Sequence, residues 1–174
     1  MRWGAQPHWA RWVAVVYVIG FLEGTGAHAY FAATGGIHAY RDWPMPSQLL
    51  FHSLLVLDAL AAAWIALVRP AGPVLGAAVI AADLTANWWG NWAGVVRHPL
   101  DYLQPVGLTP ITLFGLFVFA TAAPLRRSFR RADRHESRSS PPHEQPADGR
   151  DARGDGPLTD IAEAEDELRG FGGV

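Results

Sequence analysis

Three carboxylates stand near the middle of three separate apolar runs: Glu23, Asp58 and Asp83. An acid at the centre of a membrane-spanning helix costs roughly 2.5–3.5 kcal/mol to insert. Three of them at one depth are therefore candidates for holding a proton, a cation or a polar ligand. His28 and His52 share runs with Glu23 and Asp58, displaced roughly 8–9 Å toward one membrane face at ~1.5 Å per residue. Asn87 and Asn91 follow Asp83 at four-residue intervals, which makes one slowly drifting polar stripe on a helix. The pattern reads as a ligand or ion site with a floor of Glu23, Asp58 and Asp83 and a wall of His28, His52, Asn87 and Asn91. Tyr30, Trp88 and Trp92, with Trp89, supply the aromatic lining that suits an amphipathic or cationic ligand. Rotational phase agrees less well than depth. Glu23 and His28 are ~140° apart around an ideal helix and His52 and Asp58 ~120°, so these side chains border a wide sector rather than a single point.

Other chemistries are narrower. His28 and His52, at matched depth on antiparallel helices, are candidate axial haem ligands, or with Glu23 or Asp58 candidate ligands of a divalent metal. No helix carries an H-x-x-x-H or E-x-x-H pair, so no cofactor is assigned. The chain has no cysteine and no lysine, which excludes disulfides, thiolate catalysis, Cys-ligated clusters and Schiff bases. Ser53 beside His52, with Asp58 nearby, is not triad geometry on one helix, and no phosphate loop, dinucleotide fingerprint or nucleophile elbow is present. An enzyme is not expected, nor a nucleic-acid partner. The competing reading is structural. Buried polar groups hydrogen-bond neighbouring helices at about 0.6 kcal/mol each. Gly20-x-x-x-Gly24, Ala59-x-x-x-Ala63 and Gly90-x-x-x-Gly94 would let helices approach a second copy or another membrane protein. Three functions follow: binding or transport of a small molecule or ion; a structural or accessory subunit of a membrane complex; a haem- or metal-binding membrane enzyme.

The elements that must position these residues are four apolar runs long enough to cross a bilayer as helices: 12–33, 49–68, 74–96 and 106–123. The expected fold is all-α, an integral membrane bundle of four transmembrane helices over 1–124 with a disordered C-terminal tail. Arg69-Pro70-Ala71-Gly72-Pro73 breaks the second run from the third, and Thr109-Pro110 marks the start of a shortened fourth helix. The A-x-A sequence Ala27-His28-Ala29 resembles a signal-peptidase site, against which stand Glu23 and the apolar run continuing to Ala33.

Charge is divided unevenly. Residues 1–124 carry 5 Arg and 5 acids, whereas 125–174 carry 9 Arg and 11 acids. The cluster at Arg126, Arg127, Arg130 and Arg131 predicts contact with lipid headgroups and retention in the cytoplasm. An even number of spans then places the N-terminus, with Arg2 and Arg11, on the same side. All basic residues are arginine in an Ala/Gly-rich chain, which points to a bacterial plasma membrane protein, multi-pass, with both termini cytoplasmic. Residues 125–174 form the cytoplasmic tail, disordered over 137–157, with a short acidic helix over 160–169 opened by the capping pair Asp160 and Glu163. Four spans with inward acids are similar, in architecture alone, to sterol-isomerase-like and DoxX-like membrane families; no residues carry over.

Overall fold

Long apolar runs fold as helices in a bilayer because the backbone finds no hydrogen-bond partner there except itself. The computed structural model describes residues 3–139 and shows four helices: α1 (His8–Gly35), α2 (Met45–Ala66), α3 (Gly72–Arg97) and α4 (Leu108–Ser139). There is no strand among the described residues. α1 ends at a glycine pair, where Gly36 takes φ 57°, a left-handed conformation without penalty for a residue lacking Cβ. α2 begins four residues before the expected 49. Pro46 sits in its first turn, where the missing N–H had no intrahelical acceptor in any case. The α2–α3 turn closes with paired bonds, Arg69 N–H to the Trp64 carbonyl at 2.8 Å and Val68 N–H to the Ile65 carbonyl at 2.9 Å. These are the bonds of a Schellman ending, whose left-handed position normally falls to glycine. Here Val68 holds it at φ 53°. That conformation costs a Cβ-bearing residue roughly 1–2 kcal/mol, offset by burial of the Val68 side chain.

α4 differs most from its sequence expectation. It begins at Leu108 rather than 106, after Gly107, and it does not stop with the apolar run at 123. It continues through Pro124 and the arginines to Ser139. The physical reason is periodicity: Leu125, Phe129 and Ala132 recur on one face and are buried, while Arg126, Arg127, Arg130, Arg131 and Arg134 are exposed. The part of the expected tail beyond 139, including the acidic helix over 160–169, lies outside the described residues.

Consecutive helices are neighbours, α1 on α2, α2 on α3 and α3 on α4, with a smaller α1–α4 contact closing the ring. Short connections impose that antiparallel order. The centre is aromatic: Tyr17, Phe21, Phe114 and Phe117 meet edge to face, with Phe21 and Phe114 centroids 5.3 Å apart. Glycines on facing helices make the room. A Cβ at Gly20 would fall 2.5 Å from the Phe114 ring, and one at Gly76 2.9 Å from the Phe21 ring. The small-residue pairs predicted to face other proteins are thus largely filled from within, since Gly90 and Gly94 likewise receive Trp43 and Tyr102. The Tyr17 hydroxyl donates to the Val118 carbonyl of α4 at 2.8 Å.

The arginine-rich end is sealed by the N-terminal turn. The Trp3 indole donates to the Ala66 carbonyl at 2.7 Å, the Ser128 hydroxyl to Gln6 Oε1 at 2.6 Å, and Arg11 to the Gln6 and Gly4 carbonyls, each at 3.0 Å.

The outside of the bundle is a membrane surface. α1, α2 and α4 are long and apolar enough to cross a bilayer. Large side chains such as Ile19, Val56, Leu113 and Leu116 face outward. Hydroxyls along the helices turn back on their own backbone: Thr25, Thr34, Ser53, Thr85, Thr112 and Thr121 each donate to a carbonyl three or four residues earlier, at 2.6–2.9 Å. That is how a hydroxyl is satisfied where no water reaches. α3 is as long as its neighbours but less apolar, because Asp83, Asn87 and Asn91 lie along it.

The packing of the α4 extension is open to test. Phe129→Ala, at a fully buried position, is expected to lower the thermal unfolding midpoint of the detergent-solubilised chain by the equivalent of about 3 kcal/mol. Arg130→Ala, on the exposed face, should stay within about 0.5 kcal/mol. Equal melting of the two variants would show that 125–134 does not pack on the bundle.

Candidate functional site

Two of the three predicted carboxylates come together. Asp58 on α2 and Asp83 on α3 are both buried, at 5% and 7% exposure, on helices that pack against each other. Periodicity puts them there. On α2, Asp58 falls in the inward series Phe51, Leu54, Asp58, Ala61 and Ile65; on α3, Asp83 falls in the series Gly76, Val79, Ile80, Asp83 and Ala86. The Asp58 carboxylate seats against α1 at Gly24, where a Cβ would lie 2.6 Å from Oδ2. Asp83 is held from its own helix. Asn87 Nδ2 donates to Asp83 Oδ1 at 2.8 Å, and Asn91 Nδ2 donates in turn to the Asn87 carbonyl at 2.8 Å. The Asn stripe is therefore a ladder that ends on the carboxylate. The basic side chains of the chain are all arginines, and none is buried among the described residues. Two carboxylates in a low-dielectric core repel each other, and an opposing charge or a shared proton is what relieves them.

Glu23 is not part of this floor. It is exposed on the opposite side of α1 from Tyr17 and Phe21, two residues and so ~200° round the helix from the latter. Position along the helix does not fix rotation: the core-facing face of α1 passes through Gly24, and the neighbouring acid is turned to the outside.

The histidines meet at a residue outside the helices, Tyr40. Tyr40, in the connection between α1 and α2, is buried, and its hydroxyl is hydrogen-bonded to His28 Nδ1 at 2.9 Å. Its ring lies 5.0 Å from Phe51 and 5.1 Å from His52. His28 also stacks on Phe51 at 6.0 Å. His52 Nδ1–H donates to the Gln48 carbonyl at 2.8 Å, and its Nε2 faces the Gly36 carbonyl at 3.3 Å. Both His52 ring nitrogens are thus directed at carbonyl oxygens. Among the described residues no group of three His, Asp or Glu side chains has the arrangement of a metal site. Burial pushes the Tyr40 phenol above its ordinary pKa, and the Asp83 carboxylate acts in the same direction. The signal for Tyr40 in the sequence is the brevity of its loop, which starts at Gly36 and brings Tyr40 and Trp43 back over the helix ends.

The predicted aromatic lining does not line this site. Tyr30 is exposed on α1 beside Phe31. Trp88 donates to the Thr112 hydroxyl of α4 at 3.1 Å. With Thr85, Trp89 and Trp92 it borders an open apolar groove of about 470 Å³ on the outer side of α3. The Trp89 and Trp92 indoles are exposed on the outside of the bundle.

The contact at Gly24 yields a paired prediction. Gly26, one turn position away, has open space around it, so Gly26→Ala is expected to stabilise the chain by up to about 1 kcal/mol through helix propensity. Gly24→Ala must displace the Asp58 carboxylate and should lower the unfolding midpoint despite the same propensity gain; equal shifts in the two variants would show that Asp58 does not seat there. Set against models of protein families, curated proteins and solved structures, the chain matches none.

Proposed function

We propose that this chain holds and exchanges a small cation, a proton or a sodium-sized ion, at the Asp58–Asp83 pair inside a four-span bundle of the bacterial inner membrane. The observation that carries the proposal is the burial of two carboxylates from adjacent helices with no buried basic side chain among the described residues. A carboxylate pair recognises either ion through the same oxygens, and the close seating of Asp58 on Gly24 favours a small occupant over an organic molecule.

α3 is the fourth span in this reading. At 26 residues it is roughly 39 Å long, ample for a bilayer. Its lower apolarity resides in the inward stripe, while its outward residues Val74, Ala78, Trp89, Trp92 and Val96 are apolar. It is flanked by α2 and α4, which are long and apolar enough to cross. Arg11, Arg69 and the exposed arginines of α4 lie toward one end of the helices, Arg41 and Arg97 toward the other. The first end is cytoplasmic by the positive-inside bias, with Arg126, Arg127, Arg130 and Arg131 at anionic headgroups.

Thermal unfolding of the purified full chain tests the proposal, in sodium, potassium or choline chloride at one ionic strength and at several pH values. A bound ion at a hundred times its Kd stabilises by about 2.7 kcal/mol. The wild type is expected to respond to sodium or to pH, and Asp58→Asn and Asp83→Asn to lose that response. A response identical in all three chains would refute the carboxylate site.

A second reading, a subunit of a membrane assembly, rests on Glu23. A carboxylate exposed at mid-depth on α1, beside the exposed Gly26 and Ala27, is relieved if a second copy or another membrane protein covers that face. Native mass spectrometry of the wild type and Glu23→Leu is expected to show an oligomer that the substitution weakens; a monomer in both would remove this reading.

A further inference from the structure

The connection between α1 and α2 behaves unlike an ordinary loop. Connections usually lie on the surface, yet Tyr40 at the middle of this one is buried and Trp43 is half-buried. From its base between α1 and α2 the segment 36–44 reaches across to α3. The Trp43 indole fills the space left by Gly90 of α3, and it also packs edge to face on Phe51 of α2 at 5.0 Å. Beneath it on α3 runs the ladder Asn91, Asn87, Asp83, which leads to Asp58. The segment therefore covers that end of the carboxylate site.

Its attachments are few and of one kind. Among the described residues, one side chain of the segment hydrogen-bonds a helix side chain, Tyr40 to His28 at 2.9 Å; in addition Gln48 Nε2 donates to the Trp43 carbonyl at 2.7 Å and His52 Nε2 faces the Gly36 carbonyl at 3.3 Å. The remaining contacts are rings: Tyr40 on Phe31 at 5.8 Å and on Phe51 at 5.0 Å. Arg41 and Asp42 face outward, bridged to each other at 3.8 Å rather than to the bundle. The segment begins at Gly36 with positive φ and ends at Pro44 and Pro46. A permissive glycine and a rigid proline pair flank the seven residues 37–43, which few bonds hold down.

We propose that residues 36–44 are the gate of the carboxylate site, and that the Tyr40–His28 hydrogen bond is its latch, releasing toward the outer face of the membrane. The proposal rests on the cation reading for what passes the gate, but not for the existence of the gate. Tyr40 is a positioning residue here: it acts by keeping the segment closed over Asp83. Trp43 is the wedge that fits the closed segment to α3, and Gly90 is the socket.

The absence of cysteine from the chain permits a direct test. Ala86→Cys places one thiol on the buried face of α3, one turn from Asp83; Asn87→Cys is a second reporter should the first not fold. The full chain is reconstituted in liposomes and exposed from each side to a cationic, membrane-impermeant methanethiosulfonate. Adding Tyr40→Phe removes one hydrogen bond and keeps the ring, and should speed modification from the segment's side roughly fivefold. Tyr40→Ala should speed it further, with modification from the arginine-rich side unchanged. Rates that are unchanged in both variants, or that rise from the arginine-rich side, overturn the gate. The unfolding midpoint of each variant separates opening from general loosening: a faster rate matched by equal acceleration at both sides and a collapsed midpoint counts against the proposal. Because the labelling rate does not depend on any bound ion, a gate that responds while the sodium and pH effects are absent leaves the gate standing and removes the cation site. The reverse result does the opposite.

Discussion

A bilayer interior offers a polar group no partner but the protein itself, and nearly every feature of this chain follows from that constraint. Backbone groups are satisfied by helix formation, and hydroxyls by their own preceding turn, as at Thr25 and Thr85. Amides are satisfied by a ladder along α3. What remains are the carboxylates. They cannot be satisfied by other acceptors, and their placement separates the two kinds of acid here. Asp58 and Asp83 go inward on adjacent helices; Glu23 stays outside.

Packing obeys a second rule that the bilayer also dictates. Lipid chains are as apolar as leucine, so helices gain by fitting closely rather than by escaping solvent. The chain achieves this with large side chains seated on glycines: Phe114 on Gly20, Phe21 on Gly76, Leu84 on Gly115 and Trp43 on Gly90. Each contact fixes the rotation of one helix against another, and the same device seats a functional candidate, Asp58 on Gly24. The polar pair is thus located by the steric scheme that holds the bundle together. Substitutions at these glycines act on packing and on the site together.

The two ends of the bundle are closed differently. At the arginine-rich end the N-terminal turn is tied by Trp3, Gln6 and Arg11, and α4 continues as an amphipathic helix with Leu125 and Phe129 inside. At the other end a short connection folds over the helices on aromatic contacts and one side-chain hydrogen bond to His28. The asymmetry matters for any molecule that exchanges with the interior. The first end is held by side-chain hydrogen bonds of Trp3, Arg11 and Ser128, the second by ring contacts together with the hydrogen bonds of Tyr40, Gln48 and His52.

The number of helices, their class and most of their limits were legible in the chain, because length and hydrophobicity are local properties that the bilayer reads segment by segment. The position of Asp58, Asp83, His28 and His52 along their helices was legible too, since it is residue number times rise. What residue number does not contain is rotation. Glu23 shares the depth of Asp58 and Asp83 but faces away, and Tyr30 and the Trp88–Trp92 series share the depth of the wall without lining it. Rotation is decided by which side chain fits which glycine on another helix, a long-range steric match. The burial of Tyr40 depends on the same kind of match, between a loop and two helices. The extension of α4 past 123 was present as a periodicity in Leu125, Phe129 and Ala132, yet it takes the facing N-terminal turn to make burial of that face favourable. Sequence alone thus determined a membrane bundle with acids at mid-depth; tertiary structure alone decided which acids meet, because meeting requires facing as well as level.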